Sequence, residues 1–88
     1  MLILTEVKEY LRIDDNNEDG YISILILLSI EMVLNYIRVE ALPQEVPTTM
    51  KQAMLLIIGY FFENREGTKD GVPNVVYTLL EPYREAVF

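Results

Sequence analysis

Apolar residues recur at helical spacing in four separate stretches of the chain. In the first, Val7, Tyr10 and Leu11 fall three and four positions apart, behind Thr5 as an N-cap. This pattern predicts a short helix ending at Arg12 or Ile13. The polar run Asp14-Asp15-Asn16-Asn17-Glu18-Asp19-Gly20 stops it, and acidic residues there suit the N-terminus of a following helix. That second helix is predicted over residues 21–38, about 27 Å long at about 1.5 Å per residue. Ile22, Ile26, Ile30, Val33 and Ile37 form its apolar stripe, and Ser23, Leu27, Glu31, Asn35 and Arg38 the opposite one. The alternation of Ile22, Ile24 and Ile26 mimics a strand, but the segment is too long for one.

Pro43 and Pro47 bracket a linker. A third helix then starts near Thr48 or Thr49, where Thr49 and Gln52 have capping-box spacing, and runs through Asn64. Its outward stripe, Gln52, Leu56, Gly59 and Glu63, is barely polar at the middle. Gly59 costs the helix about 1 kcal/mol relative to Ala and leaves room for a neighbouring backbone. A polar loop over residues 65–71 carries Gly67 and Gly71. Pro73 suits the first turn of a short fourth helix over residues 74–80, Pro82 disrupts it, and residues 83–88 form a tail.

The expected fold is therefore all-α: one domain spanning residues 1–88, a small bundle of four helices with two long central ones and short first and last ones. No repeat or low-complexity segment interrupts it. Two apolar stretches could suggest membrane spans, but they run ten uncharged residues (21–30) and eleven (52–62), against about 20 for a span. No targeting segment is apparent, and the cytoplasm is the expected compartment.

Apolar residues make up 51% of the 88 residues and charged ones 24%, a globular balance. Cys and His are both absent, which removes disulfides, thiolate and imidazole metal sites, Cys nucleophiles and Ser-His-Asp triads. Fourteen acidic against seven basic residues give a net charge of −7, and the basic ones are scattered. Sequence-specific DNA binding and docking on anionic membranes both need clustered cations, so neither is expected.

One motif resembles chemistry. Asp15, Asn17, Asp19, Tyr21 and Ser23 fall at the ligand positions of an EF-hand calcium loop, with Gly20 at the turn position. The twelfth position, which should be a bidentate Glu, is Ile26, and no second loop is present to pair with it. The loop is expected to be an acidic cap on the second helix rather than a metal site, with a calcium-binding module kept as an alternative. Carboxylate pairs such as Glu6 with Glu9 and Glu81 with Glu85 lie on solvated faces with no pocket implied. No catalytic residue, metal or cofactor is expected.

Over nearly its whole length the sequence resembles the small head-tail connector (head-completion or adaptor) family of HK97-like tailed bacteriophages. The opening Leu4-Thr5-Glu6-Val7-Lys8-Glu9-Tyr10-Leu11-Arg12-Ile13-Asp14 has the family's short helix and acidic turn. The most specific stretch runs from Met50 through Tyr60 to Glu63-Asn64-Arg65-Glu66, and Pro82-Tyr83-Arg84 matches the closing segment. The resemblance implies a structural, non-enzymatic subunit. It implies a homo-oligomeric ring below the portal protein that extends the DNA channel and docks neck and tail-completion proteins, assembled in the bacterial host cytoplasm and residing in the virion neck. DNA would pass without sequence-specific binding. A generic acidic protein–protein adaptor, or a DNA mimic, is the remaining alternative.

The residues themselves favour association. The bare stripe of the third helix and the aliphatic excess of the second nominate Ile24, Leu27, Leu28, Leu56, Gly59 and Glu63 as a self-association surface.

Overall fold

The computed structural model describes residues 3–64 and 71–84. Four helices, α1 (Leu4–Leu11), α2 (Asp19–Ile37), α3 (Thr48–Glu63) and α4 (Asn74–Leu80), are followed by a 3₁₀ turn, Glu81–Tyr83. No strand occurs among the described residues. The all-α expectation holds, and α2 and α3 form the centre, with α4 packed chiefly on α3 and α1 bridging both long helices. The expected loop over residues 65–70 and the tail over 85–88 lie outside the described residues.

The helix starts differ from the sequence reading. Thr5 sits inside the first turn of α1, and Ile3 flanks it instead. There the Ile3 amide donates to Glu6 Oε1 at 3.4 Å, so the acid at the third helical position serves the orphan donor that an N-cap hydroxyl would not reach. Thr49 and Gln52 form no capping box: Pro47 occupies the cap of α3 and makes no side-chain cap bond. Pro73 plays the same part before α4. In both cases extended φ/ψ at proline sets the entry of the chain, as its fixed ring favours.

The stops are equally informative. Arg12 and Arg38 each adopt left-handed backbone, with φ 61° and 64°. Behind α1, the Arg12 amide donates to Glu9 O (3.2 Å) and the Ile13 amide to Lys8 O (2.9 Å). That pair of bonds is the Schellman pattern, normally built on glycine. Behind α2, the Arg38 and Val39 amides both donate to Leu34 O, at 2.9 and 3.3 Å. Ile13 and Val39, each next after the left-handed residue, pack against the core and hold the turn in place.

The core follows the stripes. Ile22, Ile26, Val33 and Ile37 of α2 are buried as expected, Ile30 is half-buried, and Leu25 and Ser29 complete the buried face. The Ser29 hydroxyl is satisfied by donating to Ile26 O at 2.7 Å. Met50, Ala53, Met54, Ile57 and Ile58 come from α3, Val76 and Leu80 from α4, and Val7 from α1. Tyr21 near the start of α2 donates to Phe61 O near the end of α3 (3.2 Å), so the two long helices run antiparallel. By length and composition alone α2 would span a bilayer. Here it is the central core helix, with Glu31 on its outer side.

Candidate interaction surfaces

The outward stripe of α2 is open along its length: Ser23, Ile24, Leu27, Glu31, Asn35 and Arg38 are all exposed. Ile24 and Leu27, 60% and 66% accessible, are the two most exposed large aliphatic side chains among the described residues. They make a short ridge, opposite the buried face, that ends in the Glu31 carboxylate. Leu28 does not belong to it, because it turns inward to pack against the core.

The outward stripe of α3 is different. Within the subunit, the space at Gly59, which the sequence left open for a neighbouring backbone, is met by the Tyr10 ring of α1. A Cβ placed at Gly59 would stand 3.3 Å from Tyr10 Cε2. Because the ring lies over the small residue, α1 and α3 leave a groove of about 540 Å³ between them. Tyr10, Arg12, Leu56, Gly59, Tyr60 and Glu63 line it, with Pro73 at one side. The six residues nominated for self-association thus divide into an α2 ridge (Ile24, Leu27), a half-buried α2 position packed on the core (Leu28) and an α1–α3 groove (Leu56, Gly59, Glu63), of which Leu56 is likewise half-buried against the core. No α2 residue lines the groove.

The calcium-loop residues are brought only partly together. Asp19, Tyr21 and Ser23 lie within α2, where Asp19 and Ser23 share a face and Tyr21 falls on the opposite one. Asp15 accepts from the Asn17 amide at 3.1 Å, a local turn. Lys8 reaches into the loop from α1, donating to Asn16 Oδ1 at 2.7 Å and lying 2.9 Å from Asp19 Oδ1. Asp19 Oδ1 is shielded from water, and its partner is this ammonium, as an ion pair rather than an aligned hydrogen bond. A cation is therefore already supplied by the chain, and Lys8 is a residue the sequence reading left unassigned. Among the described residues no cluster of three or more acidic side chains is arranged to hold a metal.

The family-signature residues shape ends rather than a reactive centre. Asn64 closes α3 twice, its amide and its Nδ2 both donating to Tyr60 O at 2.9 Å. Tyr60 packs edge-on against Phe61 at 4.9 Å and lines the groove. Pro82 converts the end of α4 into the 3₁₀ turn, and Tyr83 packs against the core. Arg84 stacks its guanidinium over the Tyr36 ring at 4.9 Å. Arg65 lies outside the described residues.

Tyr36 is the centre of a cluster that sequence reasoning missed. Its hydroxyl donates to Glu81, and its ring meets Tyr77 at 5.0 Å. The Glu81 carboxylate, by accepting that proton, holds the Tyr36 hydroxyl above its ordinary pKa, with desolvation adding to the effect. Near the other end of the fold, Lys51 donates to Glu6 Oε2 at 2.9 Å and draws the Glu6 carboxyl below its ordinary value. Both pairs tie elements together across 45 positions of sequence. Neither faces a cavity with the partners needed for acid–base work.

Among curated proteins and among solved structures, none matches this chain. The family model for phage gp6-like head-tail connector proteins matches residues 1–86. With the helices, their stops and the signature residues placed as above, the chain belongs to the phage gp6-like head-tail connector family.

Proposed function

We propose that this protein is a structural subunit of the phage neck that forms a homo-oligomeric ring beneath the portal, extends the DNA channel and offers a docking surface to neck and tail-completion proteins. Membership of the connector family carries the reading, since the match covers all but the last two positions. That membership implies a place in the virion neck and contacts with other head and tail proteins. The charge supports the finer part. A wall that DNA must slide past is better acidic than adhesive, because each lysine or arginine facing phosphate releases counterions and binds. With −7 per subunit, a ring multiplies that repulsion. The work is assembly rather than catalysis: the surfaces of interest are an aliphatic ridge and an aromatic-floored groove.

The test is reconstitution with a cognate portal protein. Electron microscopy of the mixture should show an added ring coaxial with the portal. A portal left bare at saturating protein would overturn the connector role.

A further inference from the structure

We infer that the Ile24–Leu27 ridge of α2 inserts into the Tyr10–Leu56–Gly59 groove of a second copy, so that the self-contact is head-to-tail. The inference rests on the ring reading above and specifies which surfaces meet.

Three observations converge on a second copy as the occupant. First, the surfaces are unlike: one is a pair of branched side chains more than half exposed, the other a concavity of about 540 Å³. Second, the two are built on different elements, α2 for the ridge and α1 with α3 for the groove, so one subunit can use both at once. Third, charge can set the register. Glu31 follows Leu27 by one helical turn on the exposed side of α2. Arg12 and Glu63 both stand exposed in the groove lining. Among the described residues neither Glu31 nor Arg12 has an ion-pair partner within its own subunit. A seated ridge is favoured in the register that sets the Glu31 carboxylate against the Arg12 guanidinium and disfavoured in one that sets it against Glu63.

A ridge-to-ridge contact would be two-fold, would stop at a dimer and would leave the groove unfilled. An unlike pair of surfaces repeats instead, and closes when its rotation permits. Left-handed backbone at Arg12 turns the chain off the end of α1 at the groove's edge. The terminal Schellman turn thereby places the cation where the ridge arrives.

The experiment uses one variant lacking each surface. Leu27→Glu removes the ridge and keeps the groove; Leu56→Glu removes the groove and keeps the ridge. Arg12→Glu serves as the second groove variant, since it is exposed and leaves the core untouched. Circular dichroism checks that each is folded, and sedimentation measures assembly at high protein concentration and high salt. Wild type should form species beyond the dimer, and each variant alone should associate at least ~100-fold more weakly, as expected for a central contact. Mixed, Leu27→Glu and a groove variant should give one-to-one heterodimers that grow no further, because a single intact ridge and a single intact groove remain between them. Arg12→Glu with Glu31→Arg in one chain should recover most of the loss of either alone.

A groove variant that assembles as wild type does, or a mixture that yields no heterodimer, would overturn the ridge-and-groove pairing while leaving the portal-bound ring to its own test. Wild type that stays monomeric under these conditions would overturn it too. A bare portal in the reconstitution would instead remove the connector role, whatever the free protein does.

Discussion

Replacing Gly59 by Ala sets two opposed effects against each other at one atom. In a helix interior, Ala is better than Gly by about 1 kcal/mol, because glycine loses more backbone freedom on folding. Gly59 lies well inside α3, so this gain applies in full. Against it, the new methyl would meet Tyr10 Cε2 at 3.3 Å and the hydroxyl oxygen at 3.7 Å. Carbon atoms prefer about 3.5–4.0 Å, so the ring must give by a few tenths of an ångström. Tyr10 is 41% exposed and lies at the open groove, with no core atom required to move with it. A small torsional shift there costs at most about 0.5 kcal/mol. The net expectation is stabilisation by about 0.5–1 kcal/mol, or about 2–8 °C in Tm for a domain of this size.

Chemical denaturation of four proteins tests this: wild type, Gly59→Ala, Tyr10→Ala and the double variant, at concentrations where the protein is monomeric. In the Tyr10→Ala background the methyl meets nothing, and Gly59→Ala should deliver the whole ~1 kcal/mol. If Gly59→Ala destabilises wild type but stabilises the Tyr10→Ala protein, the ring is pinned rather than free to move. If it destabilises both, the ring is not what limits space at Gly59, and the reasoning about the groove floor fails.

Ile57→Ala should cost about 2–5 kcal/mol by denaturant titration, because the side chain is fully buried between the long helices and leaves a cavity. Arg38→Gly should raise stability by roughly 1 kcal/mol by relieving left-handed backbone at the end of α2; no gain would mean that Arg38 stabilises the turn by a contact of its own. Millimolar calcium and chelator should give the same thermal midpoint, whereas a bound ion at ~100 times its dissociation constant would add ~2.7 kcal/mol. The Glu6–Lys51 pair should help the fold at neutral pH and stop helping as pH falls. Glu6 ionises more readily folded than unfolded, so its contribution is complete above the unfolded value and vanishes on acidification through the lowered one. Lys51→Met should therefore flatten the acid limb of the stability–pH curve, and an unchanged limb would refute the assignment.

The helices were legible because the apolar spacing of α2 and α3 is dense and long: Ile22, Ile26, Val33 and Ile37 all face the core as the 3.6-residue period requires. Their termini were less legible. Thr5 and Thr49 have the chemistry of caps, yet Ile3 and Pro47 take those positions. Glu6 reaches back to the Ile3 amide, and a proline fixes the approach to α3, so local competition displaced the hydroxyls. Both left-handed stops were invisible because arginine stands where glycine would announce them. The apolar residues at Ile13 and Val39 were the available signal.

For the candidate surfaces, periodicity identified which faces point outward but not what a neighbouring helix would lay over them. Ile24 and Leu27 could be nominated from α2 alone, and they are open. Leu56 and Gly59 were equally bare on paper, yet Tyr10 of α1 covers Gly59. Only tertiary contact could reveal that a flat stripe had become a groove. The Lys8 ammonium in the acidic loop and the Tyr36 cluster are of the same kind, since each joins residues far apart in sequence.

The contact that hides part of α3 also bears on why the subunit would have reason to assemble. A chain of 88 residues buries a limited core, and α1 is only two turns long. It suffices to hold Val7 inside and to drape Tyr10 over Gly59, not to cover α3 to its end. Meanwhile α2 spends its inner face on α3 and leaves Ile24 and Leu27 in water. Burying those two side chains gains at most about 3–6 kcal/mol, below or near the ~4–15 kcal/mol that association costs. The ridge therefore needs the groove's aromatic walls and the Glu31–Arg12 charge match to register a weak contact, while −7 per subunit opposes it at low salt. A contact balanced in this way grows with protein concentration and with salt, and anything that holds many copies close together would favour it further.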